Sequence, residues 1–208
     1  MLDLLSGGRF DLGLGAGGFW DAIEAMGGRR LSPGQAVDAL SEAIDIIRGI
    51  WDPADRTRFE VDGAYHHVSG AKRGPAPAHD IPIWIGAVKP RMLRLTGRKG
   101  DGWVPSLARL EPGALADGNA RIDDAAADAG RDPREIRRLL NVGGRFAADA
   151  TGFLQGSPTQ WVEDLLPYAI DDGIATFILA SDDAATIERF AAEVAPGLRA
   201  AVALELAR

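Results

Sequence analysis

The sequence predicts an α/β protein: one sheet of five parallel strands covered by helices. Three observations carry this expectation. Short, mostly apolar runs (Phe10–Gly15, Ile81–Ile85, Trp103–Pro105, Arg138–Phe146, Ala175–Ala180) recur along the chain. Between them lie amphipathic helical segments, the rhythm of strands buried on both faces. Two of those helices open with the same signal, Ser32-Pro33-Gly34-Gln35 and Ser157-Pro158-Thr159-Gln160, a serine cap with proline at the first helical position.

In chain order, Leu2–Gly8 (LDLLSGG) reads as the last turn of a helix with a glycine stop. Phe10–Gly15 is a strand that runs into Gly15-Ala16-Gly17-Gly18. Gly13, Gly15 and Gly18 formally spell GxGxxG, but a dinucleotide site needs a second strand ending in an acid. Asp38, the acid at that spacing, falls on a helix, so the dinucleotide reading is set aside. The helix Pro33–Trp51 carries Val37, Leu40, Ile44, Ile47 and Trp51 on one stripe. Asp38, Glu42, Asp45 and Arg48 face away from it. Arg58–Val61 and Tyr65–Val68 flank Asp62-Gly63, a hairpin signature. A Pro-rich connector, Gly74–His79, leads into Ile81–Ile85. After Trp103 comes a helix from about Pro112 to Ala129, then a short turn at 131–136 and the strand Arg138–Phe146. The helix from Pro158 points Trp161, Leu165, Leu166 and Ala169 inward. The last helix starts near Ala184, with Ile187, Phe190 and Val194 on one face, and Pro196 kinks or restarts it.

The 208 residues suffice for one domain, 1–208, with a sizeable core. A formal net charge of −7 argues against general nucleic-acid binding. The absence of cysteine excludes disulfides, thiol catalysis and thiolate metal sites and fits a reducing compartment. No leader peptide or membrane span is legible, so the expected location is the cytoplasm, with no membrane partner. His66 and His67 would point to opposite faces of a strand. With His79 they have no metal-ligand spacing, and no metal is expected.

The stretch Ile81–Ser106 organises the chain as strand, tight turn, helix, turn, strand. Pro90 occupies the first helical position, so the turn Gly86–Lys89 lies where free helix N–H groups gather. A phosphate held by the backbone of Gly86, Ala87, Val88 and Lys89 would sit at the strand's C-terminal end, with Lys89 and Arg91 adding positive charge. The alternative is a plain turn that binds nothing, with Lys89 a solvated lysine.

Three stretches, SGGRFDLGLGAGGFWDAIEAMGG, IPIWIGAVKPRMLRLTGRKGDGWVPS and AGRDPREIRR, occur here in an order and spacing that resembles the bacterial luciferase-like monooxygenase family. The resemblance extends from Leu2 to about Ala200 and is strongest to the branch assigned to coenzyme F420. It implies a partial (β/α)8 TIM barrel: strands 4–8 with their helices and a β-hairpin insertion before strand 5. Roughly the first three βα units are not matched by this chain. Five strands cannot close such a barrel. That implies a late start, a truncation that pairs with another chain, or a remnant. Exposed sheet edges point to a homo-oligomer or a partner chain.

By the same resemblance, the cofactor phosphate lies against Gly86, Ala87, Val88 and Lys89. Relatives have Gly-Pro where this chain has Lys89-Pro90. Gly15, Ala16 and Gly17 would lie beside the ring system. Flavin-using relatives place an arginine near Ala16, so alanine there favours F420 over FMN. Catalytic residues are not identified. Asp21 and Glu24, on a short helix over the mouth with Trp20, are candidates for proton relay or substrate contact, or else are solvated. Arg145, near Ser106 and Asn141 at later strand ends, would hold an anionic group or form a rim ion pair. The function implied is an oxidoreductase acting on a small organic substrate. With F420 it would transfer hydride at C5 of the deazaflavin, and with reduced FMN it would insert oxygen. The alternative is a non-catalytic truncated barrel that binds a flavin-like ligand or pairs with another chain.

Overall fold

The computed structural model describes residues 1–208. Five strands form one sheet in the order β1-β4-β5-β6-β9: β1 (Leu12–Leu14), β4 (Ile83–Ile85), β5 (Gly102–Trp103), β6 (Arg137–Val142) and β9 (Thr176–Leu179). Pairing is parallel where β1 meets β4, with Leu12 opposite Ile83, Gly13 opposite Trp84 and Leu14 opposite Ile85. It is parallel again where β6 meets β9, from Leu139–Thr176 to Val142–Leu179. The chain divides into two compact units, Met1–Gly102 with Arg121–Pro133, and Trp103–Ala120 with Arg134–Arg208. No helix is long and apolar enough to cross a membrane.

In the first unit, α1 (Leu2–Ser6) ends at Gly7, whose φ of 67° is the left-handed stop expected of glycine. Asp3 of α1 is buried and accepts the Ala78 amide at 2.6 Å and His79 Nδ1 at 2.8 Å. Burial pushes the Asp3 carboxyl up, but the Ala78 amide and the His79 ring outweigh it and hold it below the usual range. The short helix α2 (Trp20–Ala25) follows β1. Then α3 (Pro33–Trp51) begins with the complete capping box, Ser32 Oγ accepting from Gln35 N and the Gln35 side chain accepting from Ser32 N.

The buried stripe of α3 is Ala36, Val37, Ala39, Leu40 and Ile44, while Ile47 and Trp51 are only half-buried. The opposite face is open to solvent, as the pattern suggests, with Asp45 and Arg48 exposed, and it also carries ties to its neighbours. Arg91 and Lys99 of α4 (Pro90–Lys99) bind Asp38 and Asp45, and Arg48 binds Asp101 just beyond that helix. Glu42 accepts the amides of Ala64, Tyr65 and His66 at 3.0–3.1 Å. The face is thus both solvated and tied to its neighbours by charge.

Glu42 also explains a departure in the hairpin β2 (Phe59–Asp62) and β3 (His67–Ala71). Asp62 pairs with His67, so the loop is the four residues Gly63–His66 rather than a two-residue Asp-Gly turn. Its three amides have the Glu42 carboxylate as acceptor, which lets a wider loop form. Burial raises the Glu42 carboxyl, but the Tyr65, His66 and Ala64 amides win and lower it below the usual carboxylate range. A lowered folded-state value means the contribution is present above the unfolded-state value and lost as pH falls through the folded one. Glu42→Ala is therefore expected to expose the 64–66 amides at neutral pH. In the parent chain the same loss appears only on strong acidification. Amide hydrogen exchange reads both, and protection of 64–66 unchanged in the variant would refute the staple.

Helix α4 packs flush on α5 (Ala114–Asp128): a Cβ at Gly97 would lie 2.4 Å from Ile122 O. Ile83 and Ile85 are fully buried. A Cβ at Gly100, just past α4, would meet Ile85 at 3.1 Å, so Ile85 faces the helices. Trp84 takes the other face by strand alternation.

In the second unit, Trp103 fills the space left by Gly118 of α5, where a Cβ would lie 2.3 Å from the indole. The predicted strand Arg138–Phe146 is in fact two. β6 stops at Val142, and β7 (Arg145–Phe146) pairs in parallel with β8 (Gln155–Gly156) in a separate two-stranded sheet. The break falls at Gly143-Gly144, where a Cβ on Gly144 would lie 2.1 Å from Leu154 O and 2.6 Å from the Trp161 ring. Helix α6 (Pro158–Ile170) is capped by Ser157 and buries Trp161 and Leu165, while Leu166 and Ala169 are half-buried. Phe146 stacks on Trp161 at 4.8 Å and Phe190 meets it edge-on at 5.9 Å.

Strand β9 is half-exposed along its length rather than buried, because it lies at the sheet edge. The final helical stretch is α7 (Ala184–Arg189), a π turn at Phe190–Val194, and α8 (Ala195–Leu206). The π turn precedes Pro196, which becomes an early residue of α8, where its missing N–H costs nothing.

Candidate functional site

Two of the sequence-predicted clusters meet at the C-terminal ends of β1 and β4. Parallel pairing brings them together: Gly86 N donates to Leu14 O at 2.9 Å, so the turns leaving both strands start side by side. A Cβ on Gly13 or Gly15 would meet no atom within 4 Å, so open space lies beside this edge of the sheet. Gly17 has φ of 95°, and the Trp20 ring lies over it, 3.1 Å from where a Cβ would be. A side chain at Gly17 would be strained and would also displace that ring. Ala16 is half-buried between the glycines.

Across from them, Gly86, Val88 and Lys89 are exposed and Ala87 is buried. Lys89 is the N-cap of α4 and Pro90 its first residue. No side chain caps this helix, whereas Ser32, Ser157 and Asp183 cap α3, α6 and α7. An uncapped N-terminus at a strand's C-terminal end is a place for an anion. Lys89 makes no ion pair. Arg91 is turned away and held by Asp38, so its charge is already matched.

The other candidates are placed differently. Asp21 and Glu24 sit on α2, and both are clasped by Arg30, with Glu24 Oε2 at 2.6 Å from Nε. The Glu24 and Asp21 hydrogen bonds raise the Arg30 pKa. Neither carboxylate stands as an unpaired acid. Arg30 was not singled out from sequence; its place five residues past α2 gave no periodic signal. Arg145 belongs to the second unit, exposed on β7, with its backbone N donating to Leu154 O. Ser106 and Asn141 share a bridge in that same unit, with Asn141 Nδ2 donating to Ser106 Oγ at 3.4 Å. Each histidine has a protein partner: His66 faces Ala39 O, His67 faces Asp62, and His79 faces Asp3.

A hollow of about 610 Å³ lies at the opposite, N-terminal end of β4, lined by Trp51, His79, Pro82 and Asp101 among others. In open parallel sheets ligands bind at the C-terminal strand ends, so the paired glycine turns remain the candidate site.

Comparison with known proteins follows the same line. A family profile described as luciferase-like monooxygenase matches residues 1–151. A phthiodiolone/phenolphthiodiolone dimycocerosates ketoreductase of Mycobacterium kansasii is 35% identical over 141 residues, covering 65% of this chain and 36% of that protein. The chain thus spans about a third of the length of that relative. An F420-dependent glucose-6-phosphate dehydrogenase of Beutenbergia cavernae is 26% identical, covering 96% of this chain and 71% of that protein. Among solved structures, an F420-dependent secondary alcohol dehydrogenase in complex with an F420-acetone adduct superposes with a TM-score of 0.81. It is 18% identical and covers 95% of this chain and 72% of that one. The monooxygenase RslO1 from Streptomyces bottropensis gives a TM-score of 0.77 at 18% identity, covering 94% and 71%. At such identity the likeness is one of fold: the five-stranded sheet matches part of the α/β barrel of these proteins.

Proposed function

Because the chain belongs to the luciferase-like monooxygenase family, we propose that it serves an oxidoreductase that uses coenzyme F420 or reduced FMN on a small organic substrate. The observation that carries the reading is the pairing of the uncapped α4 start, Gly86–Lys89, with the open glycine edge at Gly13 and Gly15. The amides of Val88 and Lys89 are placed to meet a phosphate, Gly86 N being already given to Leu14 O, and Lys89 supplies an unmatched positive charge beside them. Gly13 and Gly15 leave room for a flat ring against the backbone beside Ala16, while Trp20 covers Gly17. When bound, F420 supplies a hydride donor or acceptor carbon, and reduced FMN supplies electrons to oxygen. This chain's residues would bind the anionic end at the start of α4 and hold Trp20 over Gly17 beside the ring. F420 is favoured over FMN: the named relatives include F420-dependent enzymes, and Ala16 brings no second cation. A chain without cysteine suits the reducing cytoplasm.

Titration of the purified chain with F420 and with FMN, followed by ligand fluorescence, tests this. Micromolar binding of F420 is expected, and Lys89→Glu weakens it by about tenfold, the scale of one charge-assisted hydrogen bond. Arg91→Gln has little effect on affinity, because Asp38 already holds that guanidinium. Affinity unmoved by Lys89→Glu would remove the phosphate from this turn.

A second reading rests on a separate observation. The edge strands β1 and β9 each have one unpaired side, and β9 is half-exposed. A chain of this extent binds a flavin-like ligand, or pairs with a second copy or another chain along those edges, without turnover. Hydride transfer by the isolated chain would sink this reading. A folded chain that binds cofactor without turning over would favour it.

A further inference from the structure

The base of the hairpin carries an unusual concentration of positive charge in an acidic chain. A hollow of about 520 Å³ is lined by Arg56, Arg58, Lys72 and Arg73, with Asp52 and Asp55. Its floor is rigid. Arg73, with a side chain only 11% exposed, donates to Gly49 O at 2.6 Å, Thr57 O at 2.7 Å and Asp55 Oδ2 at 2.8 Å. Its guanidinium lies 5.0 Å from the centre of the Phe59 ring. Asp55 also accepts the Thr57 amide and hydroxyl, so its charge is consumed within the floor. Arg58 and Lys72 flank the Phe59–Ala71 pair that opens the ladder. Gly70, at φ 67°, leaves room for the Arg58 side chain, whose Cδ lies 3.4 Å from where a Cβ would be.

Setting Arg73 against Asp55 leaves three exposed cations, Arg56, Arg58 and Lys72, that make no ion pair. Asp52 is the one carboxylate left on the wall, and it already accepts the Ala54 amide. The local balance is +3 −1 = +2, in a chain whose net charge is −7. Like charges around one hollow repel one another, and an anion placed among them relieves that repulsion. Two arginine forks suit phosphate oxygens, and the volume is that of a small-ligand site. The large exposed apolar side chains lie elsewhere, with none between Met26 and Val88, so a lipid surface is a poor match. A nucleic acid would need a basic face that this acidic chain does not offer.

We propose that the hollow at the hairpin base binds a small molecule bearing two adjacent phosphate groups. It shares no residue with the cofactor turns and stands whether or not they bind. Inorganic pyrophosphate is the probe, titrated calorimetrically into the purified chain at constant ionic strength. The expected result is a single site at least about tenfold tighter than for inorganic phosphate. Arg56→Glu and Lys72→Glu, both on exposed positions, each weaken it by about tenfold or more with unchanged circular dichroism. Arg56→Gln gives a smaller loss in the same direction. Lys89→Glu leaves it unchanged. Heats no larger than those of matched potassium chloride overturn the proposal, as does equal affinity for phosphate and pyrophosphate. Binding that is lost in Lys89→Glu but survives both hairpin substitutions would put the anion at the start of α4 and overturn it too.

Discussion

Gly144→Ala is expected to destabilise the protein by about 3 kcal/mol, at the upper end of what overpacking usually costs. At this chain length that lowers the melting midpoint by roughly 6–12 °C. The added methyl would lie 2.1 Å from Leu154 O, 2.6 Å from the Trp161 ring and 2.7 Å from Leu154 Cβ. None of the three can yield cheaply. Leu154 is buried with φ of 52°, a conformation its side chain disfavours, and its amide is fixed by Asp164 at 2.7 Å. Trp161 is fully buried and clasped between Phe146 and Phe190. The methyl therefore forces β7 away from α6. Differential scanning calorimetry checks the magnitude. A midpoint within about 2 °C of the parent would mean that the β7–β8 sheet gives way freely. Gly143→Ala is the control, since a Cβ there would meet Ala180 only at an ordinary 3.9 Å.

Asp101→Ala should cost about 2–3 kcal/mol, more than a surface ion pair is worth. One carboxylate here ends several pieces of chain. It accepts the Ile83 amide at 2.9 Å as β4 begins, two contacts from Arg48 of α3 at 2.8 and 2.9 Å, and lies 3.6 Å from Arg131. Its side chain is about a third exposed, so solvent screens the charge, but the Ile83 amide is left without its acceptor. Asp101→Asn keeps an acceptor oxygen and should recover about half the loss. Urea unfolding of both variants measures this. Equal losses for alanine and asparagine would assign the effect to charge alone.

Much of this architecture is legible in the sequence, for identifiable reasons. The helix Pro33–Trp51 shows itself through a serine cap, a proline at the first turn and an apolar stripe, and the structure has it with those bounds. The five strands appear because each is a short, mostly apolar run between helical segments. What cannot be read is where side chains find distant partners. Asp38, Glu42, Asp45 and Arg48 have the spacing of a solvated face. Only the approach of α4, Asp101 and the hairpin reveals them as ties. The Gly143-Gly144 break is equally hidden, since a glycine pair inside an apolar strand has no local sign of the carbonyl and ring that will press on it. At the candidate site, sequence identifies both turns, and the Gly86–Leu14 hydrogen bond that joins them is a product of strand pairing. Arg30 escapes notice for a similar reason: an arginine after a glycine pair has no pattern that names Asp21 and Glu24 as its partners.

The stitched face of α3 also bears on how this sequence drifts. Three of its residues are matched to single side chains at separations of 53, 54 and 53 positions: Asp38 with Arg91, Asp45 with Lys99, Arg48 with Asp101. A change in one member of a pair leaves its counterpart unmatched, so coordinated exchanges are expected for Asp38 with Arg91 and Asp45 with Lys99, while Asp101 is held in addition by the Ile83 amide. Glu42 has no such counterpart. Its partners are backbone amides, which of all substitutions only proline removes, so its position is expected to accept another carboxylate and little else. One helix thus carries two kinds of tie a few residues apart, one between side chains that can be exchanged together, the other between a side chain and the backbone.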